Sequence, residues 1–401
     1  MHLLNVFSSV LAGVTTLQGV AALPQGLWSR DTNAPTSSSP FSPKAFIISM
    51  FSPEAGAWYG IPDFNVLAVN ITVPGLSMLF PDVHCTGDGQ ICQLTTGEGE
   101  INAATTIASL VASPYFNLTQ TYFMIAGIGG VSPELATLGS VTLARFAVQV
   151  ALQYEFDARE IPANFSTGYV PFGTKAPGQY PTSIYGTEVF ELNEALRNKA
   201  IELASTAQLN DTQAAAAYRA NYASDPAYAA GASGPTIVPC DVATSDNYYS
   251  GNLLAEAFDN TTTLLTNGTG LYCSSAQEDN ASLEAFLRAA IYGFVDFSRI
   301  IVMRTGSDFD RQYPGETATQ HLLYDHQNGH IPSIANIYLA GVKIVEGIVN
   351  GWDDTFEAGI TPTNYIGDIF GSLGGTPDFG PYSGGAPATK RSIEARRRRR
   401  V

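Results

Sequence analysis

Basic residues are scarce in this chain. It has 20 Lys and Arg against 36 Asp and Glu, a formal charge of −16. Seven of those 20 basic residues and one of the acidic ones fall in the last twelve positions, KRSIEARRRRRV, so the remainder carries 13 basic against 35 acidic residues, near −22. A body of that charge repels the phosphate backbone and anionic lipid, which excludes nucleic acid and acidic membrane surfaces as its partners. The terminal arginines read as a solvated end. Charge-free apolar runs are also missing beyond the N-terminus. The most apolar later stretch, LEAFLRAAIYGFVDFSRIIVM, carries Glu284, Arg288, Asp296 and Arg299, whereas a spanning helix needs about 20 mostly uncharged residues. No transmembrane span is expected in the mature chain.

Histidine and cysteine are sparse too. Of five histidines, three lie in HLLYDHQNGH, His321, His326 and His330. Positions i, i+5 and i+9 share no helix face and have no Cys or Glu partner at a usual interval, so no metal site is expected and a solvated loop accounts for them. Four cysteines allow two disulfides. Cys85 and Cys92 bracket a Gly-containing loop, CTGDGQIC, placed to close locally, which leaves Cys240 for Cys273.

The first 22 residues are an apolar run ending in small residues at Val20, Ala21 and Ala22, the pattern of a cleaved secretory signal. Seven N-x-[ST] sequons begin at Asn70, Asn117, Asn164, Asn210, Asn260, Asn267 and Asn280. Together with the cysteines they point to a secreted or cell-surface glycoprotein. Residues 23–43 form a Ser/Pro-rich linker, 44–355 one domain, and 356–401 a loop-rich C-terminal segment with the basic tail.

Within the domain, KAFIISMF, FNVLAVNITV, YFMIAGIGGV, TLGSVTLARFAVQVALQYEF and SRIIVMR are β-rich. EINAATTIASLVAS, GTEVFELNEALRNKAIELAST, NASLEAFLRAAIYGF and IANIYLAGVKIVEGIVNGW have helical spacing. Residues 205–235, rich in Ala and Tyr, read as an insertion. Strands alternating with helices predict an α/β fold, a three-layer αβα sandwich around a mixed, largely parallel sheet.

In open α/β sheets, ligands sit at the carboxyl ends of strands. Three such ends here carry polar chemistry: Glu54 after IISMF, the glycines Gly127, Gly129 and Gly130 of IAGIGGV, and Ser307 and Asp308 after IIVMRTG. Glycines let a backbone approach a ligand and present N–H groups to it.

In this order the segments resemble the nucleoside phosphorylase and nucleosidase superfamily and, more closely, the fungal purine nucleoside permease family, from about Phe46 to Trp352. TGEGEINAA (96–104) is similar to the superfamily's TG-x-G-x-x-NAA helix start. AGIGGVSPELATLGSVTL (126–143) is similar to its glycine-rich strand end, and YEF (154–156) to its tyrosine-rich strand. EDNA (278–281) looks like its E-M-E-A ribose-binding stretch, and Ser307-Asp308 like its x-x-SD. The resemblance implies cleavage of the N-glycosidic bond of a purine nucleoside. Asp308 would be the general acid at the base, Glu54 the activator of water, and Asp279 and Asn280 the ribose acceptors. Tyr185 and Phe190, in the region 180–193, would cover the base.

The chain departs from the superfamily pattern at two points. Gly127 stands where a Ser or Thr hydroxyl would meet phosphate or water, and Asn280 replaces the ribose-binding glutamate. The first departure and Glu54 favour hydrolysis over phosphorolysis, so no cofactor is expected, and inorganic phosphate enters only if the chain is a phosphorylase. Arg304 is expected in a buried ion pair, and Arg145 is the other cation near a strand end. The alternatives left open are a nucleoside-binding protein that supports uptake and a catalytically dead binder. Superfamily members are usually oligomers, which leaves a homo-oligomer open.

Overall fold

In the five residues AFIIS, neighbouring side chains go to opposite sides. Phe46 and Ile48 pack with one hydrophobic cluster and Ala45 and Ile47 with another, and a strand buried on both faces belongs in the middle of a layered sheet. The computed structural model describes residues 39–380 apart from 62 and 63. The signal segment, most of the linker and the arginine tail lie outside the described residues.

The chain runs through β1 (Ala45–Ser49), α1 (Ser52–Gly56), β2 (Val69–Thr72), β3 (Asp82–Cys85), β4 (Ile91–Thr95), α2 (Glu100–Val111) and β5 (Tyr122–Val131). Short strands follow, β6 (Val141–Leu143), β7 (Phe146–Gln149), β8 (Tyr154–Glu155), β9 (Tyr169–Val170) and β10 (Val189–Glu191), then α3 (Glu194–Ala204) and α4 (Gln213–Arg219). The rest carries β11 (Ile237–Pro239), β12 (Asp241–Thr244), α5 (Asn252–Leu265), β13 (Tyr272–Ala276), α6 (Asp279–Ile291), β14 (Ile300–Phe309), α7 (Ala318–Leu323), α8 (His330–Asn350) and β15 (Gly367–Asp368).

The result is a three-layer α/β sandwich. Ile107 and Leu110 of α2 and Leu283 and Phe286 of α6 meet Phe46, Phe123, Ile300 and Val302 on one face of the sheet. Leu196 and Ala200 of α3 and Ile337, Ala340 and Ile344 of α8 meet Ile47, Met124, Ile301 and Met303 on the other. The sheet is parallel at its centre, where β1 lies between β4 and β5 and β14 runs alongside β5. It is also parallel where β12 lies between β7 and β13. Antiparallel pairing takes over at both edges, β2 with β3 and β10 with β15, and where β13 meets β5. By length and composition α8 could cross a membrane, but its apolar side, including Ile337, Ile344 and Ile348, is buried against this sheet.

Several elements differ from the sequence reading. The helix expected over 186–206 starts only at Glu194, because Val189–Glu191 pairs as β10 with β7 and the Asn193 side chain caps the helix through the N–H groups of Ala195 and Leu196. Residues 205–235 are part of the body. Tyr222 is buried with Val131 and Phe309, and its hydroxyl donates to the Arg311 carbonyl at 2.7 Å. The chain also stays in the core beyond 355, with β15 on β10 and Phe379 against Phe146 at 5.6 Å between rings. Disulfides join Cys85 to Cys92 across β3 and β4, and Cys240 to Cys273.

Candidate active site

The carboxyl ends of β1, β5, β12, β13 and β14 open into one cavity of about 650 Å³. Each contributes residues at or just past its carboxyl end: Met50, Phe51 and Glu54; Ile128 to Gly130; Ser245 and Asn247 to Ser250; Ser275 to Glu278; and Ser307 to Phe309.

Glu54 is held on the one-turn helix α1, which Pro53 helps to start. Its carboxylate is buried and accepts the backbone N–H of Met50 at 2.6 Å and of Ile128 at 2.7 Å. Burial pushes its pKa up to about 7, against the opposing pull of Arg304 and the two backbone donors. A carboxylate poised near neutrality is suited to taking a proton from water.

Arg304, fully buried, anchors the acids around it. Its Nη2 donates to Asp279 Oδ1 at 2.8 Å and to Glu278 Oε2 at 3.0 Å, its Nε to Asp279 Oδ2 at 3.3 Å, and its Nη1 to the Ile128 carbonyl at 3.1 Å. The expectation of a buried ion pair holds. Arg145 is tied to Glu191 and Glu194, outside the cavity lining.

Asp308 owes its position to an irregularity in β14. Gly306 stands opposite Gly129 but Asp308 opposite Gly130, so Ser307 is an extra residue on its strand, a bulge of the kind that re-aims a side chain. The Ser307 hydroxyl donates to Asp308 Oδ1 at 2.6 Å and the Tyr248 hydroxyl to Oδ2 at 2.8 Å. Burial raises the Asp308 pKa, and these two donors oppose the rise.

Glu54, Gly129, Gly130, Ser307 and Asp308 therefore share one cavity. The other expected site residues do not face it. Asp279 is spent on Arg304, and the Asn280 amide donates to the Thr187 carbonyl at 2.8 Å, so neither side chain lines the cavity. Phe190 is a core residue of β10. Tyr185, 63% exposed, packs on Phe172 away from the lining. A side chain at Gly127 would fall on Met50, 2.5 Å from Glu54 Oε1 and 2.9 Å from Arg304 Nη1. Gly127 is thus the space in which Glu54 and Arg304 meet, with no room for a hydroxyl.

Sequence reasoning missed Glu278, Phe51, Tyr248 and Tyr249, all of which line the cavity. Glu278, which precedes α6, lines the cavity while its carboxylate accepts the Gly99 N–H at 2.9 Å and pairs with Arg304 at 3.0 Å. The tyrosines were findable, because NYYSG follows a β-rich stretch just as the other polar strand ends do. Among the histidines, His321 is buried on the cavity wall and not solvated.

The family model for purine nucleoside permease matches residues 42–361. The chain belongs to the purine nucleoside permease family. A purine nucleoside permease of Candida albicans is 48% identical over 349 residues, 86% of this chain and 84% of that one. A probable purine nucleoside permease of Schizosaccharomyces pombe is 42% identical over 357 residues, 86% of this chain and 99% of that one. Solved structures similar to this family member include the 5'-methylthioadenosine/S-adenosylhomocysteine nucleosidase of Neisseria meningitidis, at 12% identity and TM-score 0.43 over 77% of this chain and 99% of that one. Futalosine hydrolase of Helicobacter pylori is similar at 13% identity and TM-score 0.43 over 77% and 97%.

Proposed function

We propose that the protein hydrolyses the N-glycosidic bond of purine nucleosides. The observation that carries this reading is the pairing, in one cavity, of Glu54 with a pKa near 7 and Asp308 with a raised pKa. Glu54 takes a proton from water as its oxygen bonds to the anomeric carbon. The bond from that carbon to the base nitrogen breaks, and its electron pair leaves with the base. Asp308, whose burial favours the protonated form, supplies a proton to the departing ring, and base and ribose are released. Glu278 offers the ribose hydroxyls an anionic acceptor where positive charge develops on the sugar. Phe51, Tyr248 and Tyr249 offer aromatic surface for the base.

The relatives' name favours a second reading, a nucleoside-binding protein that supports uptake without cleavage. The two disulfides support placing the protein in an oxidising compartment, secreted or at the cell surface. Chromatography of inosine, adenosine, guanosine and uridine incubated with purified protein, with and without phosphate, separates the readings. Base released without phosphate, and lost in Asp308→Asn, is the result expected of a hydrolase. Strict phosphate dependence would make it a phosphorylase, and binding without release would leave the uptake reading.

A further inference from the structure

On the wall of this cavity, at His321 and Asp325, lies a second group of ionisable side chains that the cleavage chemistry does not use. Glu316, His321 and Asp325 each present one ligand atom, and the three atoms lie within 4.8 Å of one another. His321 is fully buried, and the Glu316 side chain is 3% exposed. One Glu316 oxygen, Oε2, sits 3.6 Å from His321 Nδ1 and accepts no hydrogen bond from any described residue. A buried carboxylate oxygen without a donor, aimed at a ring nitrogen, is costly unless a proton or a metal ion lies there, and burial together with the neighbouring Asp325 carboxyl pushes the Glu316 pKa up to about 7.

The surroundings have the form of outer-shell support. His321 Nε2 is 3.0 Å from the Phe309 carbonyl. The Gln327 amide nitrogen lies 3.2 Å from the same Nε2; in the tautomer that donates to the carbonyl, the Nδ1 lone pair turns toward the carboxylates, the arrangement usual for a metal-ligating histidine. Gln320 donates to Asp325 Oδ1 at 2.9 Å. The Tyr218 hydroxyl lies 3.1 Å from His321 Nδ1 and 2.9 Å from Asp325 Oδ2, and its single proton can serve only one of them. In that tautomer, with both carboxyls ionised, three acceptors converge on a space that one hydroxyl proton leaves under-supplied.

We propose that Glu316, His321 and Asp325 bind a divalent transition-metal ion of the zinc class. One imidazole nitrogen with two carboxylate oxygens suits zinc, cobalt or manganese better than calcium or magnesium, which take oxygen alone. Tetrahedral bonds of about 2.0–2.1 Å set ligand atoms roughly 3.4 Å apart. The 3.6 Å separation of Nδ1 and Oε2 already approaches that edge, and Asp325, in the loop after α7, has the shift to make. Because His321 also grips the carbonyl next to Asp308, the ion would pin α7 and its following loop to the end of β14.

The test is direct metal binding, with no recourse to nucleoside cleavage. Untagged full-length protein, stripped with chelator and dialysed, is titrated with Co²⁺ and then Zn²⁺, followed by visible absorption and calorimetry. One Co²⁺ per chain, displaced by Zn²⁺ and raising the thermal midpoint, is expected. Glu316→Gln, nearly isosteric, and Asp325→Asn should each weaken binding at least tenfold while keeping the wild-type circular dichroism. Absence of stoichiometric binding in the wild type, as when a second proton on His321 does the ion's work, would overturn the site. Binding undiminished in Glu316→Gln would do the same.

Discussion

Tyr248 donates its hydroxyl to Asp308 at 2.8 Å, joining the loop after β12 to the end of β14. The bond favours the ionised carboxylate and so works against the burial that raises its pKa. Tyr248→Phe should therefore let Asp308 keep its proton to higher pH. The descending limb of the kcat/KM profile should move up by about 0.5–1 pH unit, the equivalent of one hydrogen bond. A limb that stays in place would mean that Asp308 is not the acid being titrated.

Glu54 predicts a pH dependence of stability as well as of rate. Its folded pKa of about 7 lies above the ordinary 4.5, so between those values the folded chain holds a proton that the unfolded chain has released. The stability it contributes is full below pH 4.5 and is lost as pH rises through 7, by roughly 3 kcal/mol in all. Urea unfolding at pH 5 and pH 8 should show a fall of about that size in the wild type that is missing in Glu54→Gln. The same variant should lower kcat/KM by about 10²–10⁴ and remove the ascending limb near pH 7.

Gly127→Ala probes the contact between Glu54 and Arg304. The added methyl meets Met50, Glu54 and Arg304, and the last two are fixed by hydrogen bonds. Overpacking should cost about 1–3 kcal/mol, and displacement of Glu54 should reduce kcat further than that loss explains. Wild-type kcat with wild-type stability would show that the pocket yields there.

Arg304→Met leaves Asp279 and Glu278 buried without their cation. Loss of one partner from such a group typically costs about 3–5 kcal/mol. Double replacement with Asp279→Asn should restore part of it. A single variant that unfolds at the wild-type denaturant concentration would contradict the buried network.

Asn280 heads a sequon, NAS, yet its side chain is buried against the Thr187 carbonyl. Peptide mapping of the protein purified from a glycosylating host should find that asparagine bare. A glycan on it would require α6 to leave the sheet.

Much of the architecture is legible in the sequence because it follows from local pattern. AFIIS and IIVM are unbroken apolar runs, and the runs that lie at the sheet centre are the ones buried on both sides. Glu54, Gly129, Gly130 and Asp308 were visible because each follows such a run directly. What failed depended on partners distant in sequence. Phe190 reads as part of a helix, since pairing with Ala147 and Asp368 is invisible from its own neighbours. Along EDNA, one step around a helix turns a side chain by about 100°, so motif order could not tell that Glu278, and not Asp279 or Asn280, meets the cavity. His321 looks solvated because Phe309, whose carbonyl meets its ring nitrogen, is twelve positions away.

The extra residue Ser307 constrains how a ligand can lie. Arg304 stands opposite Gly127 and Asp308 opposite Gly130, an even step on one strand against an odd step on the other. The two side chains are out of phase, with Glu54 on the arginine's side of the sheet and Asp308 on the other. A molecule that touches both carboxyls must straddle the rim of the sheet, crossing at Gly129 and Gly130 beside the Ser275 carbonyl and hydroxyl. The length of that crossing, and not the depth of a pocket on either face, sets the smallest molecule that can engage both acids at once.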